Sequence, residues 1–139
     1  MKRFTFLLMI SSLMLFSAGA IDAKAQQTDI TVRAISQGAK FIGSSMEGAA
    51  ITIKDARTGE ILVEGKTTGS TGNTDRIMRS EHDRNRVLST ADAAKFSTSL
   101  SLDDPRKLEI SARGPLSNPD DANTASVTQT VIPGNHLTG

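Results

Sequence analysis

The chain has no cysteine, tryptophan or tyrosine, and its 139 residues include five phenylalanines, two histidines and four prolines. Without cysteine there is no disulfide framework, thiolate nucleophile, Cys-ligated metal or lipid attachment through an N-terminal cysteine. The fold must hold by packing alone. Phe4, Phe6 and Phe16 all precede Ala20, which leaves Phe41 and Phe96 as the aromatics of the remainder. That scarcity argues against the stacking platforms on which single-stranded nucleic acid binds, and on which sugars commonly bind. The core must come from Ile, Leu, Val and Ala, which bury less area per side chain.

What is present begins with targeting. Met1-Lys2-Arg3 is a short basic start, and Phe4 to Ala20 is apolar apart from Thr5, the serines and one glycine. Ala23-Lys24-Ala25 supplies the small residues at −3 and −1 that signal peptidase needs. Residues 1–25 therefore read as a cleaved secretory signal peptide, with the mature protein starting at Gln26. The apolar run is too short for an anchor, so no membrane insertion is expected after cleavage. Lys2, Arg3 and Lys24 leave with it from 16 basic residues, and Asp22 from 15 acidic ones, taking the net charge from +1 to −1. A near-neutral domain has no electrostatic reach for nucleic acid or an anionic membrane. Residues 26–139 fit a single domain with one core. The expected location is the bacterial periplasm or the medium.

Hydrophobic periodicity in this part is two, not 3.6. A first strand is predicted over 28–36 through Ile30, Val32 and Ala34, with Ala39 to Ile42 continuing it after Gly38. Residues 49–66 read as a hairpin in which Gly59 supplies the left-handed residue of the turn. Residues 94–102 alternate Ala94, Phe96, Thr98, Leu100 and Leu102 against Lys95, Ser97, Ser99 and Ser101, and Asp103-Asp104-Pro105 breaks the strand. Leu108, Ile110 and Ala112 mark another strand up to Gly114-Pro115, and 124–132 a last one, with Gln129 its polar interruption. Inward positions on this pattern are Ile30, Val32, Ile51, Ile53, Ile61, Val63, Phe96, Leu100, Leu108, Ile110, Val127 and Val131. Residues 67–75 read as a flexible turn-rich loop, 79–88 as a charged excursion, and Ser89–Asp92 as a cap for one helical turn. The whole is an all-β protein, a small antiparallel β-sandwich. Pro133 to Gly139 is a turn of the kind that leads into a further strand, and a missing final strand would leave a sheet edge needing cover.

Gly48-Ala49-Ala50-Ile51-Thr52-Ile53-Lys54-Asp55, Thr58-Gly59-Glu60-Ile61-Leu62 and Gly65-Lys66-Thr67-Thr68 resemble the start of the transthyretin-like, carboxypeptidase-regulatory-like (Ig-like) β-sandwich domains. There a Gly-Ala-x-Val strand leads through Asp-x-x-Thr-Gly-Glu to Gly-x-Thr-Thr. The resemblance implies a non-catalytic accessory sandwich of an exported protein and transfers no functional residues.

Few residues suggest chemistry. Gly65-Lys66-Thr67 lacks both the spacing and the following helix of a phosphate loop. Asp103-Asp104 and Asp120-Asp121 could hold calcium if their loops met at one end of the sandwich. No nucleophile elbow accompanies the serines. His82 lies between Glu81 and Asp83, with Asp75, Arg76, Arg79, Arg84 and Arg86 nearby. A first-row metal would need His82 and His136 together with carboxylates. The leading expectation is a binding or interaction module without cofactor or catalysis. Its protein or small-ligand partner would be met by Arg76, Arg79, His82, Arg84 and Arg86 in the 67–88 segment. The alternative is a small periplasmic enzyme or metal-handling protein using His82 and His136.

Overall fold

Alternation of apolar and polar residues produces six strands in the computed structural model, which describes residues 24–79 and 86–138. They are β1 (Gln26–Val32), β2 (Ala50–Asp55), β3 (Ile61–Lys66), β4 (Phe96–Leu102), β5 (Arg106–Gly114) and β6 (Asn123–Val131). All ladders are antiparallel and form two sheets of unequal width, β1-β4 and β3-β2-β5-β6. Packed face to face, they make a small all-β sandwich, the expected class. The leader expected over residues 1–25 lies outside the described residues except for Lys24 and Ala25, which immediately precede β1.

The β2-β3 hairpin follows from its turn residues. The Asp55 carboxylate accepts the backbone N–H groups of Arg57 at 2.8 Å and Thr58 at 3.1 Å. Gly59, at φ +76°, closes the turn by donating to the Asp55 carbonyl at 2.8 Å. These bonds, with help from the Arg106 guanidinium, hold the Asp55 carboxyl below its ordinary pKa against the opposing effect of burial.

Between the sheets lie Ile30, Ile51, Ile53, Leu102, Leu108 and Val131, all nearly inaccessible to solvent. Val32, Val63, Phe96 and Leu100 pack around them, and the Phe96 ring rests on Gly65. Two residues expected in the core are exposed instead. A register shift between Ile53 and Lys54 sets Ile61 opposite Lys54 on the outer face, and Leu62 packs on the core instead. Val127 does face inward, directly opposite buried Ile110, yet it is 57% exposed. The two-stranded sheet is too narrow to reach it.

Other departures have local causes. The first strand stops at Val32, and 39–42 turns back instead of continuing it: Ile35 bridges Phe41 across a turn containing Gly38. The expected helical turn at Ser89–Asp92 is a single turn closed by Ala93 N–H to Thr90 O. Short helical turns form instead at Ser44–Met46 and Asp75–Arg79. The Asp103-Asp104 and Asp120-Asp121 loops sit at opposite ends of β5, whose nine residues separate them by roughly 27 Å. They cannot share one cation. Asp103 instead pairs with Arg106 at 3.6 Å, and Asp121 accepts from the Asn118 amide.

Candidate functional site

The segment after β3 is anchored, not loose. Thr67 is fully buried, and its hydroxyl donates to the Ile42 carbonyl at 2.7 Å while accepting the Ala49 N–H at 2.9 Å. Thr68 and Lys95 exchange backbone hydrogen bonds, both at 3.0 Å. Ser70 accepts from Ala94 at 2.8 Å and donates to the Asp92 carbonyl at 2.9 Å. Gly69 fits between them because a Cβ there would lie 2.8 Å from both Ala94 Cα and the Asp92 carbonyl. The Ser70 hydroxyl reaches the Asp92 carboxylate at 2.7 Å. The Thr90 and Ser70 hydroxyls hold that carboxyl below its usual pKa.

Asn73 then starts a helical turn. Its side-chain oxygen accepts the Arg76 N–H at 2.9 Å, and its carbonyl accepts the Ile77 N–H at 3.0 Å. Ile77 is buried in a second small cluster with Phe41, Ala93 and Ala94. Fastening the turn by Ile77 leaves Arg76 and Arg79 on its exposed side. Arg76 donates to the Ser89 carbonyl at 3.0 Å, and Arg79 pairs with Asp75 at 2.8 Å. With both partners exposed, that pair contributes only about 0.3–0.5 kcal/mol.

These side chains border an open cavity of about 540 Å³, lined by Asn73, Asp75, Arg76, Arg79, Arg86 and Thr90. Three guanidinium groups and one carboxylate give it a positive balance. Guanidinium presents donors in a planar fork that matches a carboxylate or phosphate, so the chemistry on offer is anion recognition. Of the five side chains expected at a site, the structure brings Arg76, Arg79 and Arg86 together. His82 and Arg84 lie outside the described residues. The density of arginine is the signal visible in the sequence; Thr90 carries none, and Asn73 carries only that of a helix cap, which its bond to the Arg76 N–H fulfils.

His136 lies elsewhere. Its Nδ1 accepts the Asp29 N–H at 3.0 Å and is 3.3 Å from the Asp29 carboxylate, at the outer edge of β1. Among the described residues, no three His, Asp or Glu side chains gather as a metal centre would require. No protein-family model, curated protein or solved structure matches the chain. The class defined here is therefore that of the fold and the cavity: a small all-β sandwich carrying a group of arginines on an anchored loop.

Proposed function

We propose that the chain is an exported, non-catalytic interaction module that holds an anionic group of a protein or small-ligand partner against Arg76, Arg79 and Arg86. The observation that carries this reading is the meeting of the three side chains around one cavity, on a segment pinned at Thr67, Ser70 and Ile77. A recognition loop on a rigid sheet is where sandwiches commonly place binding. Two further points support export and an accessory role. β1 begins at Gln26, so cleavage after Ala25 would leave both sheets whole. The 48–68 stretch also resembles transthyretin-like accessory sandwiches.

The test is a pull-down from periplasm with the mature protein and with a variant in which Arg76, Arg79, Arg84 and Arg86 are serine. Partner capture should be lost while the melting temperature moves by no more than a few degrees. The intact mass of the bait should start at Gln26 or its pyroglutamate. Capture that survives the four substitutions overturns the arginine site; a persistent Met1 form in membranes overturns export.

A further inference from the structure

The two outer strands of the four-stranded sheet differ in kind. β3, on one side, has six residues, carries Glu64 and Lys66, and meets β2 across a register shift. Shortness, charge and irregular register are common protections of a sheet edge against pairing with another chain. β6, on the other side, has none of them. It runs for nine residues, Asn-Thr-Ala-Ser-Val-Thr-Gln-Thr-Val, without a charge, a proline or a glycine. Its ladder with β5 passes through nine consecutive pairs with no shift. Asn123 to Thr130 are all exposed, and nothing among the described residues pairs with the outer side of the strand. The chain that follows β6 crosses to the other sheet, where Leu137 bridges Ile30 beside β1.

We infer that β6 pairs with β6 of a second copy of this chain, antiparallel, about a two-fold axis between the two Val127 residues, joining two four-stranded sheets into one of eight. Val127 is the middle residue of the nine. This register alone therefore sets every residue of one strand opposite a residue of the other, in a ladder of about 30 Å. The backbone groups along both edges gain partners, which is the logic of strand addition. A two-fold axis brings the same patch of each copy together, like face with like face. On the outer face Thr124 then lies opposite Thr130, and Ser126 opposite Thr128, hydroxyl pairs of the kind that stabilise neighbouring strands. On the inner face Val127 meets its own copy, which covers an aliphatic side chain otherwise 57% exposed. The strand carries no charge to repel its like. Past its ends, Asp120 and Asp121 of one copy come to the end at which the other presents Lys107, the β5 neighbour of Thr130. An unrelated strand would have to match both faces and both ends, whereas a second copy does so by symmetry. This edge is separate from the arginine cavity, so either reading can fail without the other.

Sedimentation velocity on the mature protein should show monomer giving way to dimer as the concentration rises from micromolar to millimolar. Ser126→Lys with Thr128→Lys gathers four like charges at the axis and should raise the dimer Kd at least tenfold. Ser126→Lys with Thr128→Glu sets opposite charges across the axis and should keep the dimer. Ser101→Lys, on the exposed face of β4, controls for added charge and should change nothing. The chain has no cysteine, so single cysteines report the register. Val127→Cys should give a disulfide-linked dimer in oxidised glutathione, since its Cα atoms would lie about 4.5–5.5 Å apart. Ala125→Cys, on the same face but roughly 14 Å from its copy, should not. Circular dichroism checks that each variant is folded. A protein that stays monomeric, equal linking at positions 125 and 127, or a double-lysine variant that dimerises as well as the parent overturns the inference. Slow amide exchange along the outer side of β6 in the monomer does so too, since the chain itself would then cover the edge.

Discussion

Replacing Thr67 with valine isolates the bond that ties the arginine-bearing segment to the sandwich. The substitution keeps the shape of the side chain and removes its hydroxyl. Two backbone groups then lose their partner in a fully buried place: the Ile42 carbonyl, bonded at 2.7 Å, and the Ala49 N–H, bonded at 2.9 Å. Leaving one buried polar group unsatisfied costs about 1–3 kcal/mol. Two such losses, offset in part by a methyl replacing a hydroxyl in an apolar setting, give a destabilisation of about 2–5 kcal/mol. Thr67→Ser is the matched control, since it keeps both bonds and loses a methyl, worth about 0.5–1.5 kcal/mol. The chain has no tryptophan or tyrosine, so unfolding in urea is best followed by far-ultraviolet circular dichroism. The urea midpoint should fall further for valine than for serine, with the slope m unchanged. A Thr67→Val protein as stable as Thr67→Ser would refute the reasoning.

Two other outcomes are expected. Phe96→Ala should cost about 3 kcal/mol, because it strips the ring from Gly65 and from the edge of the core, whereas Ser97→Ala on the exposed face of β4 should stay within about 0.5 kcal/mol; equal effects in thermal melts would mean a misread register. Asp55 has a folded pKa below its unfolded value of about 3.9, so it stabilises above that pH and the benefit is lost as pH falls through the folded value. Asp55→Asn should therefore unfold at lower urea than the parent at pH 7, the gap closing below about pH 4, and a gap that widens on acidification would contradict the assigned bonds.

Local chemistry was legible in the sequence wherever one residue decides one conformation. Gly59 in its turn, the proline ending β4 and the alternation of β4 and β5 are of this kind. Burial was less legible, because it depends on what lies opposite. Val127 has the pattern of a core residue and the exposure of a surface one, since nothing in its own strand states that the facing sheet has two strands. The 67–73 stretch misleads for a different reason. Its Thr, Gly and Ser composition reads as loose chain, but the hydroxyls of Thr67 and Ser70 bond to other segments, and periodicity does not record such bonds. At the site, the crowding of arginines was visible, while the Asn73 cap and Ile77 anchor that gather them depend on the fold.

The order of strands in the narrow sheet has a consequence for assembly. β2 with β3, and β5 with β6, are hairpins that close over short connections, and β2 can then zip onto β5. β1 finds its partner far later in the chain, Val32 meeting Phe96 across 64 positions. A polypeptide emerging N-terminus first therefore carries β1 unpaired until β4 has been delivered, and loop closure of that length slows the step. Until it happens, the faces bearing Ile30, Ile51 and Ile53 remain open to other chains. The β1-β4 layer is the clasp of the sandwich, closing over the longest separation among its ladders, 64–76 positions against 53–63 for β2 with β5.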